Sequence, residues 1–129
     1  HLALRIPVLG DERRTYSITT PPGQPLRVGI RCVPGGKVST HLVTVAKRGD
    51  VVESLPPSGR FTADPTVDVG QAWLLIAAGS GITPVLAIAR SVLEQDSAAQ
   101  VTLLFANRSV SPQLLSIDKQ LSVLFRLLQ

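Results

Sequence analysis

Trp73-Leu-Leu-Ile-Ala-Ala-Gly79-Ser-Gly81-Ile-Thr-Pro84, continuing as Val85-Leu-Ala-Ile-Ala-Arg-Ser-Val-Leu93, decides the fold of this chain. Leu74 to Ala78 is a short unbroken apolar run, as expected for a parallel strand covered on both faces. Gly79 and Gly81 let the backbone turn sharply and approach a ligand closely. Pro84 suits the first position of a helix, where its fixed φ fits and its missing N–H has no helical partner to lose. Val85, Ile88, Ala89, Val92 and Leu93 then recur at helical spacing. The stretch predicts a strand, a glycine turn and a helix whose N-terminus faces the strand's end. Unpaired N–H groups and the helix dipole favour a phosphate there. Taken alone, Gly-x-Gly-x-x-Pro is a weak signature, because plain turns match it about as often.

The chain of 129 residues holds one domain or parts of two. With aromatics at 4%, the core must be aliphatic. Ten glycines and ten prolines argue for many turns rather than a helical bundle. No apolar run approaches the ~18 residues of a membrane span. The net charge of +4 is dispersed, with short pairs at Arg13-Arg14 and Lys47-Arg48 only. Without a basic run interleaved with aromatics, nucleic acid is not expected as a partner. Cys32 is the only cysteine, which excludes an internal disulfide and fits a reducing, cytoplasmic compartment. No metal site is expected, since one cysteine with His1 and His41 cannot assemble one. The chain opens at His1 inside a predicted strand, so it reads as a fragment.

Working outward, Leu2 to Val8, Arg14 to Thr19, Leu26 to Val33, Val51 to Leu55 and Arg60 to Thr62 read as strands separated by Gly and Pro turns. Leu26, Val28, Ile30 and Cys32 share one face in the cleanest alternation, which makes Cys32 a core residue. Lys37 to Ala46 reads as a short helix entered at Gly36. The polar stretch 63–70 is the best boundary, dividing the chain into 1–66 and 67–129. Gln100 to Ala106 reads as a second parallel strand. Leu114, Ile117, Leu121, Leu124 and Leu128 suggest a closing helix.

Three further motifs offer ligand chemistry. Arg14-Thr15-Tyr16-Ser17 brings together a guanidinium suited to phosphate, a ring suited to a flat heterocycle and a hydroxyl donor. By spacing alone, a surface Arg beside a half-buried Tyr is the simpler reading. Gly35-Gly36-Lys37-Val38-Ser39-Thr40 opens a helix and is equally a phosphate cradle or an ordinary cap. Asn107-Arg108-Ser109 follows the second parallel strand, where a dinucleotide fold reads the adenosine ribose. Arg108 there leans towards a 2′-phosphate, and a solvated loop Arg is an equal alternative.

Taken in order, these motifs resemble the ferredoxin–NADP reductase superfamily, in particular the reductases of bacterial oxygenases of the phenylacetyl-CoA epoxidase and steroid hydroxylase type. The likeness runs from His1 to about Ser109. Gly49-Asp50 and Pro57-Ser58-Gly59-Arg60-Phe61 add to it. It implies an antiparallel FAD-binding β-barrel, lacking its N-terminal strand, followed by the first part of a parallel-sheet NAD(P)-binding α/β domain. By that likeness Arg14 holds the FAD pyrophosphate, Tyr16 packs on the isoalloxazine and Ser17 hydrogen-bonds near N5. Ile30, Cys32 and Val33 run beside the AMP half. Gly36, Lys37, Val38, Ser39 and Thr40 form the pyrophosphate cradle. Gly79, Ser80, Gly81, Thr83 and Pro84 receive the nicotinamide nucleotide, NADP or NAD, with Thr83 at the flavin edge. Asn107, Arg108 and Ser109 lie near the adenosine. Tyr16, Ser17 and Thr83 are the residues expected to touch the reacting rings.

The implied activity is NAD(P)H oxidation through FAD, with electrons leaving for an oxygenase or ferredoxin-type acceptor. Any [2Fe–2S] centre would lie on a missing segment or on that partner. The Cys-Gly-Pro-type segment that the family places beside the nicotinamide is absent. A non-catalytic flavin-binding subunit, or an inactive truncated piece of the same fold, is the alternative. A broken sheet also favours self-association through its open edges.

Overall fold

Leu2, Leu4 and Ile6 are buried while the residues between them are more exposed, so the period-2 pattern of the opening residues makes a strand. In the computed structural model, which describes residues 1–64, 69–107 and 121–127, this is β1 (Leu2–Arg5). It lies between β2 (Arg13–Tyr16) and β3 (Glu53–Ser54) in an antiparallel sheet. The register pairs Leu2 with Tyr16 and Leu4 with both Arg14 and Ser54. β1 ends before the predicted Val8 because Pro7 brings no backbone donor; Pro7–Leu9 forms a 3-10 turn instead.

Leu26 to Val33 is not the strand its alternation predicts. It meets its neighbour at a single antiparallel bridge, Ile18↔Val28. Local bonds replace the ladder. Thr19 N–H donates to Arg27 O at 2.9 Å. The Thr20 hydroxyl donates to Pro25 O and accepts from Arg27 N–H. Cys32 is exposed rather than core, because among the described residues no second layer covers that face. Arg60 to Thr62 is likewise no strand; Thr62 N–H folds back on Arg60 O at 3.0 Å. α1 (Lys37–Thr44) forms where expected, anchored by buried Val38.

The second half is a parallel sheet in the order β4-β5-β6, comprising β4 (Ala72–Ala78), β5 (Gln100–Asn107) and β6 (Leu121–Leu127). α2 (Ile82–Gln95) connects β4 to β5. The closing helix expected over Leu114 to Leu128 is corrected by β6; residues 114–120 lie outside the described residues. Leu121-Ser-Val-Leu-Phe-Arg-Leu127 is short and rich in strand-forming types, and helical spacing of leucines does not distinguish it from a strand.

Among the described residues only one face of β4 is covered, contrary to the expectation of two. Trp73, Leu75 and Ala77 turn towards α2, whereas Leu74 and Ile76 remain 61% and 69% exposed. Val101, Leu103 and Phe105 of β5 continue the covered face, opposite Ile82, Val85, Ala89 and Val92 of α2. The stripe 82, 85, 89, 92 follows the helical period.

Two predictions arise from this half. Asp96, just past α2, accepts bonds from the N–H groups of Gly70 and Ala98. These bonds, that of Gly70 foremost, hold its carboxyl below the ordinary value of 3.8, against the opposing effect of burial. The stability they give is present above that value and is lost as pH falls through the lower, folded one. As pH falls below 3.8, the wild-type midpoint of thermal unfolding falls more steeply than that of Asp96→Asn. Among the described residues, the indole N–H of Trp73 is buried without a hydrogen-bond partner. Trp73→Phe removes that orphaned donor, so urea unfolding shows a loss below about 1 kcal/mol despite the smaller ring.

Among the described residues, no helix is long and apolar enough to cross a membrane, and no group of three His, Cys, Asp or Glu side chains could hold a metal.

Candidate cofactor site

The parallel register Ala78↔Ala106 brings the ends of β4 and β5 to one sheet edge, so the turn after β4 and Asn107 face the same rim. Ligands of open α/β sheets bind beyond those carboxyl ends. Gly79 takes φ +50°, a left-handed conformation that favours glycine. Gly79–Gly81 forms a 3-10 turn that runs directly into α2. The helix begins at Ile82, so Pro84 is its third residue rather than its first. Its missing N–H still falls among the unpaired donors of the first turn. Among the described residues no side chain caps α2. The Thr83 hydroxyl donates to Ser80 O at 2.9 Å, tying the first helical turn to the glycine turn. Arg108 and Ser109 lie outside the described residues.

A second uncapped helix start lies in the first half. Gly36 is the N-cap of α1, and no side chain caps it. Its N–H donates to Val33 O at 2.9 Å. Ser39 is buried, and its hydroxyl accepts from Val33 N–H and donates to Gly36 O. Ser39 therefore braces the turn from inside. A Cβ on Gly36 would lie 2.7 Å from Ser39 Oγ and 3.1 Å from Val33 O. The turn closes only around a glycine. Cys32 Sγ is 3.6 Å from Thr40 Oγ1, so the segment 30–33 runs beside the same helix start. Lys37 is exposed at the first helical position.

Arg14 and Tyr16 lie on β2, two residues apart and hence on one face. Arg14 is exposed and ion-pairs with Glu12 at 3.0 Å. Tyr16 is half-buried; burial raises its phenol above the ordinary value of 10.0, and the positive charge of Arg14 opposes this.

The two halves meet at Thr83. The antiparallel bridge Ile18↔Val28 brings the residue after Ser17 beside the residue before Gly29. A Cβ on Gly29 would lie only 2.9 Å from Thr83 Cγ2. Thr19 Cγ2 lies 3.7 Å from the same Cβ position, so Gly29 sits between Thr19 and Thr83 at the junction. α2 also touches the first half further along: Arg90 donates to Thr19 O at 3.4 Å, and Gln24 donates to Glu94 at 3.0 Å. Residues 83, 90 and 94 share one helix face, so α2 docks the halves along its length. Gly29 is the site residue that sequence reading missed. Its only signal was a lone glycine inside a strand-like alternation, the usual mark of close approach by another element.

Residues 75–122 match the family model of the oxidoreductase NAD-binding domain. The chain is 37% identical over 112 residues to one of the subunits of the 1,2-phenylacetyl-CoA epoxidase of Escherichia coli, covering 84% of this chain and 31% of that protein. It is 40% identical over 111 residues to the ferredoxin reductase component of the 3-ketosteroid-9-alpha-monooxygenase of Mycobacterium tuberculosis, covering 83% and 30%. Residues 75–122 are an oxidoreductase NAD-binding domain of the ferredoxin reductase superfamily. The structure of an Amycolatopsis cytochrome P450 reductase superposes with a TM-score of 0.81 at 27% identity, covering 98% of this chain and 41% of that one. This ferredoxin reductase-like chain thus spans about a third of the length of the curated relatives it matches. Its antiparallel sheet followed by a parallel sheet with helices is the fold of that superfamily.

Proposed function

We propose that the chain forms the junction of a cytoplasmic flavin-dependent NAD(P)H oxidoreductase, with FAD held by the first half and NADP or NAD by the second. When bound, the two cofactors supply the chemistry, a hydride passing from nicotinamide to flavin and electrons then leaving for an acceptor. The protein's part is to bind and orient. Backbone N–H groups at Lys37–Ser39, aimed by the Gly36 turn, together with the side chains of Arg14 and Lys37, offset the flavin pyrophosphate charge. Tyr16 covers one ring face, and the Ser17 hydroxyl donates to the ring edge. The start of α2, at Gly79–Thr83, takes the nicotinamide nucleotide. No general acid or base is required.

The observation that carries this reading is the approach of Thr83, in the nicotinamide motif, to Gly29, which follows the bridge Ile18↔Val28 joining the residue next to Ser17 of the flavin motif. The donor set fits the cofactors, since both helix starts lack side-chain caps. Relatives that belong to an epoxidase and to a monooxygenase system support an oxygenase or a ferredoxin as the acceptor. An iron–sulfur centre would lie on that partner or on another segment. NADP over NAD rests on Arg108, and Arg108→Ala is expected to weaken 2′-phospho-AMP binding while leaving AMP binding unchanged. Among the described residues β4 is an edge strand with Leu74 and Ile76 exposed on its face, which supports self-association. Sedimentation at rising concentration tests that.

A yellow protein that bleaches with NADPH supports the oxidoreductase reading. A yellow protein that does not bleach favours a flavin-binding subunit without this activity. A colourless protein that stays colourless on adding FAD overturns both.

A further inference from the structure

Glu12 stands just before β2, and its carboxylate bridges two cations that the flavin reading assigns to the pyrophosphate. Oε2 lies 3.0 Å from Arg14 Nη2, and Oε1 lies 3.2 Å from Lys37 Nζ. Arg14 is held at its other end by Nη1 donating to Arg13 O at 2.7 Å. Lys37 is the first residue of α1, where a cation faces the positive end of the helix dipole and is disfavoured. An anion beside it removes that conflict. Glu12 thus collects a guanidinium and an ammonium around one carboxylate, as a phosphate would.

We propose that Glu12 is a built-in stand-in anion, which holds Arg14 and Lys37 in place of the flavin pyrophosphate and is displaced when the cofactor binds. The inference rests on the flavin reading above. Both ion pairs are solvent-exposed, so releasing them costs little, and the opposing effect that matters is a negative charge left beside two phosphates. The residue therefore weakens the site, and its removal strengthens it. At the high effective dielectric of an exposed cleft, one charge about 5 Å away is worth about a fivefold change in affinity.

The test titrates wild type and Glu12→Gln with FAD, followed by flavin fluorescence, and with inorganic pyrophosphate, followed by calorimetry. The substitution keeps the shape and removes the charge, and an exposed position tolerates it. The expected result is about fivefold tighter binding of both ligands by the variant at low ionic strength, shrinking towards equality near 0.5 M salt as screening grows. Equal or weaker binding of FAD by the variant overturns the proposal while leaving the flavin reading intact. Tighter pyrophosphate binding by the variant, with FAD bound by neither protein, keeps the stand-in anion and overturns the flavin reading. Failure of both proteins to bind either ligand overturns both.

Discussion

Gly36→Val abolishes measurable flavin binding, with an expected loss of at least ~100-fold in affinity and a smaller loss of stability, about 1–3 kcal/mol. The cause is overlap and not backbone strain, because Gly36 already has an ordinary extended φ of −79°. A Cβ there meets Ser39 Oγ at 2.7 Å and Val33 O at 3.1 Å. Val33 O is the acceptor for Gly36 N–H, so it yields only by breaking the turn. Opening the turn breaks the Ser39 bonds to Val33 N–H and Gly36 O, and the backbone donors at the start of α1 lose their common direction. Ser39→Ala is the informative control. It removes the brace without crowding the turn, so about tenfold weaker binding is expected from it. Fluorescence titration with FAD measures both, and circular dichroism shows that the folds survive. Unaltered FAD affinity in Gly36→Val would mean that this turn is not the cradle.

Gly29→Ala slows flavin reduction by about 10- to 100-fold while leaving FAD affinity nearly unchanged. The added Cβ lies 2.9 Å from Thr83 Cγ2, closer than carbon atoms tolerate. Thr83 has little freedom to yield, because its hydroxyl is bonded to Ser80 O and its backbone is the first turn of α2. Part of the overlap therefore passes into the spacing between the two halves. A displacement of about 1 Å between reacting groups costs about a hundredfold in rate. Gly29→Ala combined with Thr83→Ser removes the clashing methyl and keeps the hydroxyl, so it restores most of the rate. Rapid mixing with NADPH reads the rate, and an FAD titration reads the affinity. A slow double variant would show that the alanine acts through some other contact.

The parts of the fold legible in the sequence were those set by local rules. The strand, turn and helix from Ala72 to Gln95 are written in an apolar run, two glycines and a helical stripe. The start of α1 at Gly36 is equally local. What was misread depends on partners outside the segment. Leu26 to Val33 alternates well, yet Thr20 and Pro25 close a loop that leaves it one bridge instead of a ladder. Leu121 to Leu127 carries leucines at helical spacing, but β5 recruits it as a parallel strand. The exposure of Leu74 and Ile76 shows the same dependence, since an apolar run does not record which layers cover it.

The motifs of the candidate site were legible, but not how the fold joins them. Tyr16-Ser17 and Thr83 were each identifiable, while the residue at the junction has no side chain to notice. Gly29 is significant only once the bridge at Val28 and the methyl of Thr83 are both placed. Glu12 was unremarked for a similar reason, because its meaning lies in Lys37, distant in sequence.

The most direct test of two cofactors meeting at this junction is a spectral one. The chain is loaded with FAD, freed of excess, and titrated without oxygen first with NADP⁺ and then with NADPH. The account predicts that protein-bound flavin is quenched by Tyr16, that NADP⁺ perturbs its absorbance, and that NADPH bleaches it. Nicotinamide nucleotide that binds while leaving the spectrum of bound flavin untouched would contradict it.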